Sequence, residues 1–125
     1  MQEQLWVEPV GGLIIARMRG IPNEAILREC QERVLLLVKD TGQGKVLYDA
    51  LEMEPPHVDV VLSQRKLDEE VGPVKLRRAI VVPNAKLAYL ARLAFGEGDY
   101  RVFYSDMVAA VKWLEAEHEA APRKL

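Results

Sequence analysis

Apolar positions along this chain recur at two spacings, and the places where one gives way to the other mark out the predicted elements. Residues 5–10 (LWVEPV) and 12–20 (GLIIARMRG) are short β-prone runs. Gly11 and Gly12 between them can take the positive φ angles of a tight turn, so the pair predicts a hairpin. From Asn23 the period lengthens: Ile26, Leu27, Cys30, Val34, Leu37 and Val38 fall at helical spacing. Asn23 is placed to cap that helix, Glu24 lies in its first turn and Gly42 ends it. Residues 45–51 (KVLYDAL) predict a strand, and 57–72 a helix with Val58, Val61 and Leu62 facing inward. The most apolar strand follows at 77–83, and Asn84 is placed to cap a helix reaching residue 96. A strand over 99–104 leads into a helix capped by Ser105, with Met107, Ala110, Val111 and Leu114 as its buried face.

The predicted order is therefore ββαβαβαβα. Strands that alternate with helices pair in parallel through crossovers, so the expected fold is α/β, with a mixed, mostly parallel five-stranded sheet and helices on both faces. The first hairpin strand is the antiparallel exception, at an edge. One domain over residues 1–119 is expected, with 120–125 as a frayed tail.

Composition narrows the partners. The chain of 125 residues is 50% apolar and 29% charged, has a formal net charge of -2, and contains no run approaching the roughly 18 apolar residues of a membrane span. That balance argues against a protein built to gather nucleic acid. Cys30 is the only cysteine, and it lies on an apolar helical stripe, where a thiol is core filler. The first ten residues lack the basic and apolar regions of a signal peptide, so the expected location is cytoplasmic.

The element order, with KVLYDALEM as middle strand, RRAIVVP as the next, and an ending in which a strand with Phe103 runs into Asp106, Ala109, Ala110, Trp113 and Leu114, resembles the STAS superfamily and within it the SpoIIAA-like proteins. The resemblance covers roughly Leu13 to Leu114. It implies a non-enzymatic regulatory domain that binds another protein or itself. In anti-sigma-factor antagonists of that family a strand leads to an Asp-Ser-Ser-Gly motif whose serine is phosphorylated. Here Met53 falls where the residue before the motif stands, and Glu54, Pro55, Pro56 and His57 fall across it, so both serine positions are proline and the phosphoacceptor is lost. The two prolines also suit a helix's first turn, where they remove N–H groups that could hold an anion. Ser63, about two turns on, is expected to be an ordinary helix serine.

Other chemistries find little support. Asp49, Glu54, His57 and Asp59 lie close in sequence, but a catalytic zinc takes three protein ligands, commonly with His or Cys among them, and His57 and His118 are the only histidines. No metal or other cofactor is expected; Asp49, Glu54 and His57 remain a candidate loop site. Neither Ser63 nor Ser105 sits in a Gly-x-Ser-x-Gly elbow. TGQGKV (41–46) precedes a strand, whereas a phosphate loop follows one, and the strand before Asp49 ends without the acid pair of a receiver domain.

The segment KLAYLARLAFGEG is apolar around most of a helix. Such a helix is either deeply buried or pressed against a partner. Tyr89 and Leu93, four residues apart, are the candidate partner stripe, which a homodimer would share. The competing expectation is a carrier of a small apolar or lipid-like ligand, in the manner of SEC14-like domains, with Tyr48, Leu51, Met53, Tyr89 and Phe95 lining its pocket.

Overall fold

The computed structural model describes residues 4–70, 75–96 and 98–116; the expected tail at 120–125 and His118 lie outside them. The order is β1 (Leu5–Val10), β2 (Leu13–Gly20), α1 (Glu24–Thr41), β3 (Lys45–Met53), α2 (Val58–Glu69), β4 (Arg77–Val82), α3 (Ala85–Phe95), β5 (Tyr100–Tyr104) and α4 (Met107–Glu115). The strands form one sheet in the order β1-β2-β3-β4-β5, with β1 antiparallel to β2 and every other pair parallel.

Local chemistry accounts for most boundaries. Val10 pairs with Leu13 across a two-residue loop whose first member, Gly11, has φ +60°, a conformation that glycine adopts without steric penalty. Asn23 Oδ1 accepts from the Ile26 N–H at 2.9 Å and opens α1; Gly42, in the left-handed region at φ +77°, closes it. Asn84 caps α3 in the same way, through Leu87 N–H at 2.9 Å. The last helix departs from expectation. Its cap is Asp106, which accepts from Ala109 N–H at 3.0 Å, while Ser105 is held at φ +51° just outside the helix.

Because strand order follows chain order, the three crossover helices α1, α2 and α3 lie on one face of the sheet and α4 alone covers the other. Alternate residues of each strand divide between the two faces. Ile14, Ala16, Met18 and Val46 pack under α1, and Ala50, Ile80 and Val82 pack with α2 and α3. Leu13, Leu47, Ala79 and Val81 meet Ala110 and Leu114 of α4.

One break in this alternation matters. Arg17 pairs with Asp49 but Arg19 pairs with Glu52, so β3 carries one residue more than β2 over that stretch, a bulge. Leu51 packs against the α4 cluster, and the next residue, Glu52, also meets Arg17 (2.8 Å) and Arg19 (3.2 Å). Met53 is thereby turned to the α1–α3 side, where it joins both clusters.

The second crossover helix differs from its prediction. It starts at Val58 with His57 as N-cap, so Pro55 and Pro56 precede the helix rather than occupying its first turn. Val61 and Leu67 are its buried residues, whereas Val58 and Leu62 are exposed. It packs mainly on α3 and α1 rather than on the strands beneath it.

Candidate functional site

Beneath α2 the interior is not filled. A hollow of about 110 Å³ lies between the sheet and the crossover helices, walled mainly by apolar side chains. Its position follows from residue size. Ala16 and Ala50 on the strands, and Ala91 and Ala94 on α3, stand where larger residues would close the gap. Pro22, Met53 and Pro56 contribute to its wall at the carboxyl ends of β2 and β3, the end at which open α/β sheets hold ligands. Phe95 lies toward the opposite end, with ring centroids 5.7 Å from Tyr48 and 5.8 Å from Tyr100.

Three of the five expected lining residues, Tyr48, Met53 and Phe95, line the hollow. Two do not. Leu51 packs on the α4 side of the sheet, and Tyr89 points away at 62% exposure. The expected partner stripe also divides, because Leu93 packs against the interior cluster while Tyr89 faces out. Sequence reasoning missed the alanines and Gln31, Cys30 and Gln64 as lining residues. The available signal was small residues at inward positions of elements otherwise built from Val, Ile and Leu.

The polar groups around the hollow are mostly committed. Gln31 Nε2 donates to the Leu67 carbonyl at 2.6 Å, tying α1 to α2. Burial pushes the Cys30 thiol up to about 12, so it is protonated and unreactive at neutral pH. Burial likewise raises the Tyr48 hydroxyl above the ordinary phenol range, against the pull of nearby Arg78. Arg78 is 8% exposed and forms an ion pair with Asp68, while its guanidinium carbon lies 4.3 Å from the Phe95 ring centroid. Burial opposes the Arg78 charge, but the hydrogen bond to Asp68, helped by Tyr48, outweighs it and raises the Arg78 pKa. A buried pair of this kind fixes geometry more than it adds stability.

Asp49, Glu54 and His57 do not converge. Asp49 accepts from Leu51 N–H at 3.1 Å and lies 4.0 Å from Arg17 Nε. Glu54 is exposed, and its N–H donates to the Gly20 carbonyl at 2.9 Å. His57 is at the surface, where Nδ1 accepts from Asp59 N–H at 3.2 Å. Among the described residues no cluster of three or more His, Cys, Asp or Glu could hold a metal. The helix start is a poor anion site for a reason other than the one expected. The prolines lie outside it, but its N–H groups are taken up by His57, with Val60 N–H donating to the His57 carbonyl at 3.0 Å, and Asp59 puts a carboxylate in the first turn. Ser63 Oγ lies 2.5 Å from Glu24 Oε2 and 3.2 Å from the Asp59 carbonyl. Its single proton goes to the nearer carboxylate, joining α2 to the start of α1.

A structure from Shewanella loihica PV-4, of a DUF3478 family protein with a SpoIIAA-like fold, matches with a TM-score of 0.59 over 88% of this chain and 91% of that one, at 19% sequence identity. The fold is SpoIIAA-like. The element order, the edge hairpin and the helices on both faces are those expected of a STAS-like domain. No protein-family model matches the chain. Among curated proteins, glutamate–tRNA ligase 1 of Alkalilimnicola ehrlichii is 31% identical over 90% of this chain, and the glutamate–tRNA ligase of Paraburkholderia phymatum 27% identical over 89%. The chain spans only 28% and 27% of those two ligases. No described helix is long and apolar enough to cross a membrane.

Proposed function

We propose that this SpoIIAA-like domain is a non-enzymatic regulatory module whose input is a small apolar ligand held in the interior hollow, in place of a phosphoserine. The observation that carries the reading is the hollow itself. A hollow of about 110 Å³ leaves its apolar lining short of partner atoms, a loss of packing that weighs on a small domain. A ligand that fills it recovers that cost. The volume supports a small ligand rather than a lipid-like one, since an engineered void of roughly 150 Å³ takes up benzene. The absence of a phosphoswitch is supported by proline at both motif positions and by the carboxylate of Glu24 beside Ser63, which would repel a phosphate there. Non-enzymatic character is supported by a buried thiol, a capping histidine and acids already paired with arginines. The ligase likeness covers too little of those proteins to bring their activity into this reading.

Toluene titrated into labelled protein should shift the amide resonances of Ala50, Val61 and Ala91, and Ala91→Leu should abolish the effect. No shift in the wild type overturns the proposal. Intact mass after incubation with ATP and an anti-sigma-type serine kinase should be unchanged; stoichiometric phosphate on Ser63 would restore a phosphoswitch.

A second reading, a protein partner or a second copy of the chain, is supported by exposed Ile21, Tyr104 and Val108 near the carboxyl end of the sheet, and by Tyr89 on α3. Light scattering at micromolar concentration tests the homodimer form, which a monomer would remove.

A further inference from the structure

One amide at the wall of the hollow is uncommitted. Four polar residues other than Cys30 contribute to its wall: Gln31, Tyr48, Asp49 and Gln64. Gln31 is bound to the Leu67 carbonyl, Asp49 to Leu51 N–H and Arg17, and Tyr48 is drawn into the Arg78 interaction. The Gln64 side chain has no hydrogen-bond partner among the described residues, although it is only partly exposed. An amide at the edge of an apolar hollow can both donate and accept. The one guanidinium near the hollow, that of Arg78, is neutralised by Asp68.

Resting on the ligand-binding reading above, we infer that the ligand is an uncharged molecule of about benzene size with a single hydrogen-bonding substituent, and that Gln64 binds that substituent. The apolar body lies among the alanines with Phe95 and Tyr48 as aromatic walls. A carboxylate has no free cation to meet, and burying it unpaired would cost more than the apolar contacts return. A hydrocarbon lacking the polar group fits but makes no hydrogen bond with Gln64.

Phenol and toluene differ only by hydroxyl for methyl, which makes them the deciding pair, with benzoate as the charged comparator. In NMR titrations of the intact chain at neutral pH, phenol should bind about fivefold more tightly than toluene, the worth of one ordinary hydrogen bond, and benzoate should not bind. Gln64→Met should retain toluene affinity and erase the phenol preference. Toluene binding without a phenol preference, or a preference that survives Gln64→Met, overturns this inference while leaving the hollow a ligand site; binding of neither neutral probe overturns both. Should Gln64→Met fail to fold, the wild-type ranking of the three probes still decides.

Discussion

The two faces of one sheet are built from neighbouring residues of the same strands, yet they pack differently. On the α4 side, Leu47 and Val81 meet Leu114 and Ala110 of a single helix, all essentially inaccessible. On the crossover side, three helices cover the strands, but the middle one rests on its neighbours and the residues beneath it are small. More cover has produced looser filling. Burial of secondary structure and filling of volume are thus separate properties: the first follows from apolar periodicity, the second from side-chain sizes that meet across elements.

The largest effect that would test this contrast comes from alkaline pH. Cys30 is raised from 9.0 to about 12, so the folded state keeps its proton where the unfolded chain loses it. Its contribution is complete below pH 9 and is lost as pH rises through the folded value, up to about 4 kcal/mol in all. Urea unfolding across that window should show the decline, and Cys30→Val should flatten it in part, Tyr48 supplying the remainder. An unchanged pH profile in Cys30→Val would mean that the thiol is not shielded.

Next in size, Leu114→Ala should cost about 3 kcal/mol by chemical denaturation, because its tightly packed side has no slack to absorb the loss. Leu90→Ala, beside the hollow, should cost less. Equal costs would deny the asymmetry. The smallest effect has the opposite sign. Ala91→Leu places methyl groups into existing space and should stabilise the unliganded protein by about 1 kcal/mol, read as a rise in Tm. A fall in Tm would show that the space is too narrow to fill.

The strands and helices were legible because their periodicity is strong and their caps are ordinary: Asn23, Gly42 and Asn84 do what their side chains and backbone freedom suggest. The errors fall where two local solutions compete. Ser105 and Asp106 are both good caps, and only the tertiary path of the β5–α4 connection selects the aspartate. Pro55 and Pro56 suit a helix's first turn but lie before it, because His57 is the cap, and Val58 and Leu62 face outward rather than in. Leu93 belongs to the interior because a helix apolar nearly all round gives no internal sign of which side meets the sheet. The hollow was legible only through Tyr48, Met53 and Phe95; its alanines come from β2, β3 and α3, and their conjunction exists only after folding.

The extra residue in β3 makes the domain depend on a matter of parity. Up to Asp49 the strand's odd positions face one way and its even positions the other; beyond the bulge the assignment is exchanged, which is how an odd-numbered Met53 comes to share a side with Tyr48 and Ala50. Removing Leu51 would restore regular counting with Glu52 still opposite Arg19 and Met53 still on the crossover side, at the cost of the Leu51 contact with the α4 cluster. Keeping every residue but pairing them without the bulge would instead invert the strand's end, turning Glu52 toward the apolar interior and Met53 toward Arg17 and Arg19. In this chain one irregularity of pairing, more than the identity of any residue beyond it, decides which side of the sheet Met53 serves.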